Sequence, residues 1–184
     1  MMDPTVHIAQ IARLFVLVTL LVAAWGKSTN FRRFRDSLAR SFPLPGNTTV
    51  LAALAVITAE WLIVGLIALG GAMSRVGLVA GFVVLSLFTV VIAGALARGQ
   101  AIVCNCFGPS TQPISVHDLV RNALLLAACG FAFVTHPGDP GISRGSSIAL
   151  IGVAVILFLI TTSLRDIHVL LGLKPEDQAG WKAR

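Results

Sequence analysis

The sequence predicts an all-α helical bundle in a membrane, about five transmembrane helices with a four-helix core, and three observations carry that expectation. Hydrophobic residues make up 56% of the chain and charged residues only 12%, with a mean hydropathy of +0.88; soluble domains carry roughly 25% charged residues. The apolar residues gather into runs long enough to cross a hydrocarbon core of about 30 Å. Turn-forming Gly and Pro and most of the cations fall between those runs or after the last of them. A chain of 184 residues with this composition forms one unit that uses lipid as the solvent for its outer faces. That excludes a soluble enzyme.

Five runs qualify as spans, each reaching across the bilayer at about 1.5 Å per residue. The first is Ile8 to Trp25. Read alone, it also fits a signal peptide with Arg13 in its charged leader and small residues at Ala23 and Ala24, but the charged stretch that follows reads as a loop between membrane helices. Pro43, Pro45 and Gly46 punctuate the entry to the second span, Thr48 to Leu69. Gly70 and Gly71 turn the chain into the third, Val76 to Ala97, where Gly77 and Gly81 form a small-xxx-small pair suited to close helix packing in lipid. The fourth, Val116 to Val134, opens on a capping-box pattern, Ser115 with Asp118. A His136-Pro-Gly-Asp-Pro-Gly turn leads to the fifth, Ser147 to Leu164. Residues 1–164 make up the bundle and 165–184 a polar C-terminal tail.

Alternation of the spans puts the first-to-second and third-to-fourth connections on one side of the membrane, whichever way the protein is oriented. Lys27, the Phe31-Arg-Arg-Phe-Arg35 run, Arg98, Cys104, Cys106 and Arg121 therefore share a face or the helix ends beneath it. The net charge of +6 belongs to this topology and to the tail. No basic stripe interleaved with aromatics exists to hold a nucleic acid.

The strongest chemical signal is Cys104-Asn-Cys106-Phe107-Gly108-Pro109, two thiols one residue apart in a turn-prone segment outside the membrane. In a bent Cys-x-Cys the two Cα atoms can reach disulfide distance, at the cost of strain that makes the bond labile. Neighbouring cations favour the thiolate, which is the attacking species in exchange. The pair reads as an exchange site, against the alternatives of a fixed brace or part of a metal site. His117 is the one nearby histidine, and two thiolates fall short of the four ligands a structural zinc takes, so no metal is assigned. Cys129, inside the fourth span, reads as a small packing residue.

Glu60 is the second signal, a carboxylate in the middle of an apolar run. Such a group faces the bundle interior and needs a partner or moves protons. Lys27 and Arg121 are the two candidates, both starting from the shared face. Arg121-Asn122 could instead contact the cysteine segment, bind a quinone or lipid headgroup, or snorkel to the interface. Arg13 reads as a plain interfacial charge.

Taken together these residues resemble the methylamine utilisation protein MauE family, within the broader DoxX-like group of small bacterial membrane proteins. The resemblance rests on Trp25-Gly-Lys27 closing the first span, Glu60 in the second and Arg98-Gly99 after the third. It continues through Cys104-x-Cys106-Phe107-Gly108 and Arg121-Asn122 opening the fourth. It implies a redox-associated, multi-pass protein of the bacterial cytoplasmic membrane. Such a protein works beside a thioredoxin-like partner, or on a client, in maturing disulfide-containing proteins outside the cytoplasm. The layout is also similar to vitamin K epoxide reductase, which passes electrons to a quinone, but here the motif is Cys-x-Cys and no second cysteine pair lies in the first connection.

Two considerations about orientation oppose one another. The cysteine-bearing face collects Lys27, Arg32, Arg33, Arg35, Arg40 and Arg98, and a five-span topology adds Arg165, Lys174, Lys182 and Arg184; the other face has Arg13, Arg75 and Arg144. The positive-inside rule puts the richer face in the cytoplasm, whereas disulfide traffic belongs to oxidising compartments. Both orientations stand at this point, as do two other functions: a scaffold subunit of a larger membrane complex, and a metal-handling protein.

Overall fold

A computed structural model of the chain describes residues 4–41, 45–98, 116–135 and 144–170, with the side chains of 4, 41, 46, 144–148 and 164–170 left aside. Among the described residues there are six helices: α1 (Pro4–Thr29), α2 (Phe31–Ser41), α3 (Gly46–Leu69), α4 (Gly71–Ala97), α5 (Val116–Val134) and α6 (Arg144–Leu170). Four of them, α1, α3, α4 and α5, are long and apolar enough to cross a membrane. The fifth expected span is helical in α6, where Ala149–Ser163 is the apolar stretch among the described residues. The α6 backbone stays helical to Leu170.

The four-helix core is a closed ring in which α1 packs on α3, α3 on α4, α4 on α5, and α5 back on α1. Helix α6 lies outside this ring, mainly along α1. The seam is built from Phe15, Val16 and Leu20 of α1, Ile63 and Ile67 of α3, Leu78 and Leu85 of α4, and Leu125 and Cys129 of α5. Outward residues such as Leu51, Leu69, Leu87 and Val90 are exposed, which suits a lipid-facing surface. Ala23 and Ala24 are buried in the bundle, where α1 packs against α3, α5 and α6. The hydroxyl of Thr19, buried in this apolar setting, donates to the Phe15 carbonyl at 2.7 Å, the usual way a helical threonine satisfies itself away from water.

Two connections are short. Pro45 caps α3 with extended backbone, and the Thr48 amide donates to its carbonyl at 2.9 Å. Between α3 and α4 the chain reverses at Gly70 (φ 76°) and Gly71 (φ 52°), values that L side chains rarely adopt. The connection between α1 and α3, expected to be a loop, contains α2. Its apolar residues Phe31, Phe34 and Leu38 recur at helical spacing, with Phe34 buried while Arg32, Arg33 and Arg40 are exposed.

The small-residue pair on α4 divides into unequal halves. A methyl group at Gly77 would lie 2.8 Å from Ile67 Cγ1 and 2.9 Å from the Ile67 backbone nitrogen, whereas at Gly81 the nearest atom is Ile63 Cγ2 at 3.5 Å. Backbone cannot swing aside as a side-chain tip can. Gly77→Ala should therefore destabilise the protein by about 1–3 kcal/mol through overpacking of α3 on α4, and Gly81→Ala by less than about 1 kcal/mol. Unfolding of both variants in mild detergent checks this; equal losses would remove the special role of Gly77.

Candidate functional site

The geometry starts from a level in the middle of the bundle where Leu20, Ile63 and the Cys129 sulfur surround Gly81. About two helical turns from that level, roughly 10 Å, lie Lys27 on α1, Phe88 on α4 and Asn122 on α5, all on the side of α2. Glu60 on α3 lies on the same side. The apolar middle thus gives way to a polar layer beneath one end of the bundle.

At its centre Lys27 Nζ donates to Glu60 Oε1 at 2.5 Å, with both side chains only 2% exposed. The ammonium also lies 5.4 Å from the Phe88 ring centroid and 5.7 Å from that of Phe34, within the range where an aromatic face attracts a cation. One lysine on α1 is thereby tied to α2, α3 and α4. Next to it the Trp61 indole N–H donates to Ser28 Oγ at 3.1 Å, a second polar link between α1 and α3. The other carboxylate oxygen, Glu60 Oε2, is buried and has no hydrogen-bond partner among the described residues.

Of the two candidate partners for Glu60, the structure selects Lys27. Arg121 is instead 3.5 Å from Asp118, one turn earlier on α5, and its positive charge is close enough to act on Lys27. Asp118, whose expected capping-box partner Ser115 lies outside the described residues, serves as the arginine's counter-ion. Asn122 is buried beside Arg121. Arg98 is exposed at the C-terminal cap of α4. Cys129 is a buried free cysteine in the apolar seam, as its setting in the sequence suggests. Arg13, read as an interfacial charge, is half-buried on α1. Cys104, Cys106, Phe107 and Gly108 lie outside the described residues, as do Gly99, Ser115 and the His136 turn. The helix ends that flank the cysteines in sequence, Arg98 of α4 and Val116 of α5, are at the α2 end of the bundle.

The comparison with known families fits this arrangement. Methylamine utilisation protein MauE matches over residues 5–135, a range that holds Lys27, Glu60, both motif cysteines and Arg121. The chain belongs to the MauE family. It is accordingly a multi-pass membrane protein, and the family region coincides with the four-helix core, α6 lying beyond it. No curated protein and no solved structure matches the chain.

Phe34 and Phe88 are the site residues that sequence reasoning missed. Ten phenylalanines occur in the chain, and nothing in an apolar run marks the ones that meet a cation. Phe34 carried a weak signal, its helical spacing from Phe31 and Leu38 within a charged stretch.

Removing one member of a buried pair strands the other charge in a low-dielectric interior, which costs about 3–5 kcal/mol, while replacing both by apolar groups of similar size is often near neutral. Lys27→Met and Glu60→Leu should each destabilise the protein strongly, and the double variant should recover most of the loss. A double-mutant cycle from unfolding in detergent micelles measures the coupling; additive losses would show that the two side chains do not act as a unit.

Proposed function

We propose that this MauE-family protein is a membrane thiol–disulfide exchange component whose reacting groups are Cys104 and Cys106. The observation that carries the reading is the polar layer of Lys27, Glu60 and Arg121, assembled at the end of the bundle from which the cysteine-bearing segment leaves α4 and to which it returns at α5. An otherwise apolar membrane protein keeps charges at this depth only with a compensating use. A cation beside a thiol favours the thiolate, and Arg98, exposed at the end of α4 with no carboxylate in ion-pair range among the described residues, is the described cation nearest the pair in sequence.

The exchange balances as follows. One thiolate attacks the disulfide of a thioredoxin-like partner, forming a mixed disulfide and releasing one partner thiolate. The second cysteine attacks the mixed disulfide, closing the Cys104–Cys106 bond and releasing the other partner thiolate. Two electrons and two protons have then passed to the partner, and the reverse sequence oxidises a client. Short Cys-x-Cys rings are strained and give up their disulfide readily, which suits a donor in maturation of disulfide-containing proteins on the oxidising side of the membrane. The reaction needs no quinone. Lys27 and Arg121, the described cationic donors at this level, are already engaged by Glu60 and Asp118, so no step is assigned to one.

Impermeant thiol labelling of intact cells, before and after reduction and in a Cys129→Ser background, tests the reading. Labelling of Cys104 and Cys106 only after reduction is the expected result, together with loss of client maturation in Cys104→Ser and Cys106→Ser. Thiols reached only after permeabilisation, or maturation untouched by either substitution, would replace exchange with a scaffold or metal-handling role.

A further inference from the structure

We infer that α2 is a docking face for anionic phospholipid headgroups, with Arg32, Arg33 and Arg40 as the phosphate-binding residues. The inference is independent of the cysteine chemistry. Helix α2 has two distinct sides. Phe34 and Ser37 are buried and Phe31 and Leu38 half-buried, on the side that packs against α3 and α1. Arg32, Arg33 and Arg40 are exposed, and none of them has a carboxylate in ion-pair range among the described residues. Arg35 differs, because its guanidinium is 2.6 Å from Asp36. The exposed side therefore offers three uncompensated guanidinium groups and one that is already neutralised.

Depth is fixed by a second observation. Trp25 near the end of α1 is 62% exposed, and Trp61, 38% exposed, points its N–H at Ser28. Exposed tryptophans near a helix end, as Trp25 is, or with the indole N–H engaged, as Trp61 is, mark the boundary between hydrocarbon and headgroups. Helix α2 begins immediately beyond that level: the Asn30 amide still bonds back to Gly26, and the Phe34 amide bonds to Asn30 at 3.0 Å. It thus lies in the plane where lipid phosphates sit. A guanidinium fork matches phosphate oxygens in a bidentate geometry, and basic helices held at this depth select anionic lipids. Trp25 near the end of α1 and Leu62 on α3, the two helices that α2 packs against, are exposed apolar side chains, so an occupant that meets both the arginines and these residues must have a charged head and an apolar body. A phospholipid has both. The cations of α2 then have a local use besides orienting the protein, which eases the conflict between the charge distribution and an oxidising location for the cysteines.

The test uses the full chain in bilayers containing spin-labelled phosphatidylglycerol or spin-labelled phosphatidylcholine, reading the motionally restricted fraction of each. Expected is a preference for phosphatidylglycerol of at least about five-fold, the factor one headgroup-level cation supplies. That preference should fall towards one in Arg32→Gln/Arg33→Gln/Arg40→Gln and persist in Arg75→Gln, on the opposite side of the bundle. Equal restriction of the two lipids by the wild-type chain would overturn the proposal, as would an equal fall in Arg75→Gln. Full competition by inorganic phosphate would show a site for the free anion instead. If the triple variant loses its helical content, Arg32→Gln and Arg33→Gln taken singly decide the matter, each lowering the preference if the face binds lipid and neither doing so if it does not.

Discussion

A lysine and a glutamate buried together inside an apolar bundle set the terms for everything around them. Neither charge is tolerable there alone, so the helices that carry them can meet in only one relative position. Lys27 fixes the rotation of α1 about its axis and Glu60 that of α3, and the two aromatic rings over the ammonium bring α2 and α4 into the same constraint. Hydrophobic contact cannot do this in lipid, because a leucine facing a neighbouring helix is little better placed than one facing an acyl chain. Specific polar contacts and close packing of small residues must supply the register. The bundle uses both, with the ion pair near one end and the Gly77 contact with Ile67 towards the other.

The polar layer stands in contrast to the rest of the bundle. The middle of the bundle, with Cys129 in it, is apolar and tightly filled, a setting for packing alone. The Lys27–Glu60 pair and Arg121 lie near the α2 end, the end where α4 stops and α5 starts on either side of the two motif cysteines in the sequence. Arg121 has its own counter-ion, Asp118, so the layer sets two cations, Lys27 and Arg121, against two carboxylates, Glu60 and Asp118. Each charge in the layer is thereby matched by an opposite one rather than left alone in an apolar interior.

What the sequence disclosed depended on length scale. Apolar runs of bilayer length identified the spans, and Glu60 stood out because a carboxylate in such a run is costly. The choice between Lys27 and Arg121 was beyond reach, since it depends on the rotational phase of three helices, and a helix of near-uniform apolarity carries no phase signal. Helix α2 was hidden for the opposite reason: its arginines made an 11-residue amphipathic helix look like a polar connector, and only the spacing of Phe31, Phe34 and Leu38 argued otherwise. Gly77 and Gly81 looked equivalent by motif. Their difference lies in which atoms of α3 come opposite them, a property of three dimensions only.

The glycine reversal between α3 and α4 has a consequence for how the gene can vary. With two residues of left-handed backbone joining the helices, there is no slack to absorb a change in length. One inserted residue would advance α4 by about 100° around its axis, carrying Gly77 away from Ile67 and Phe88 away from Lys27 in a single step. The α3–α4 hairpin should therefore be inherited as one piece of fixed length.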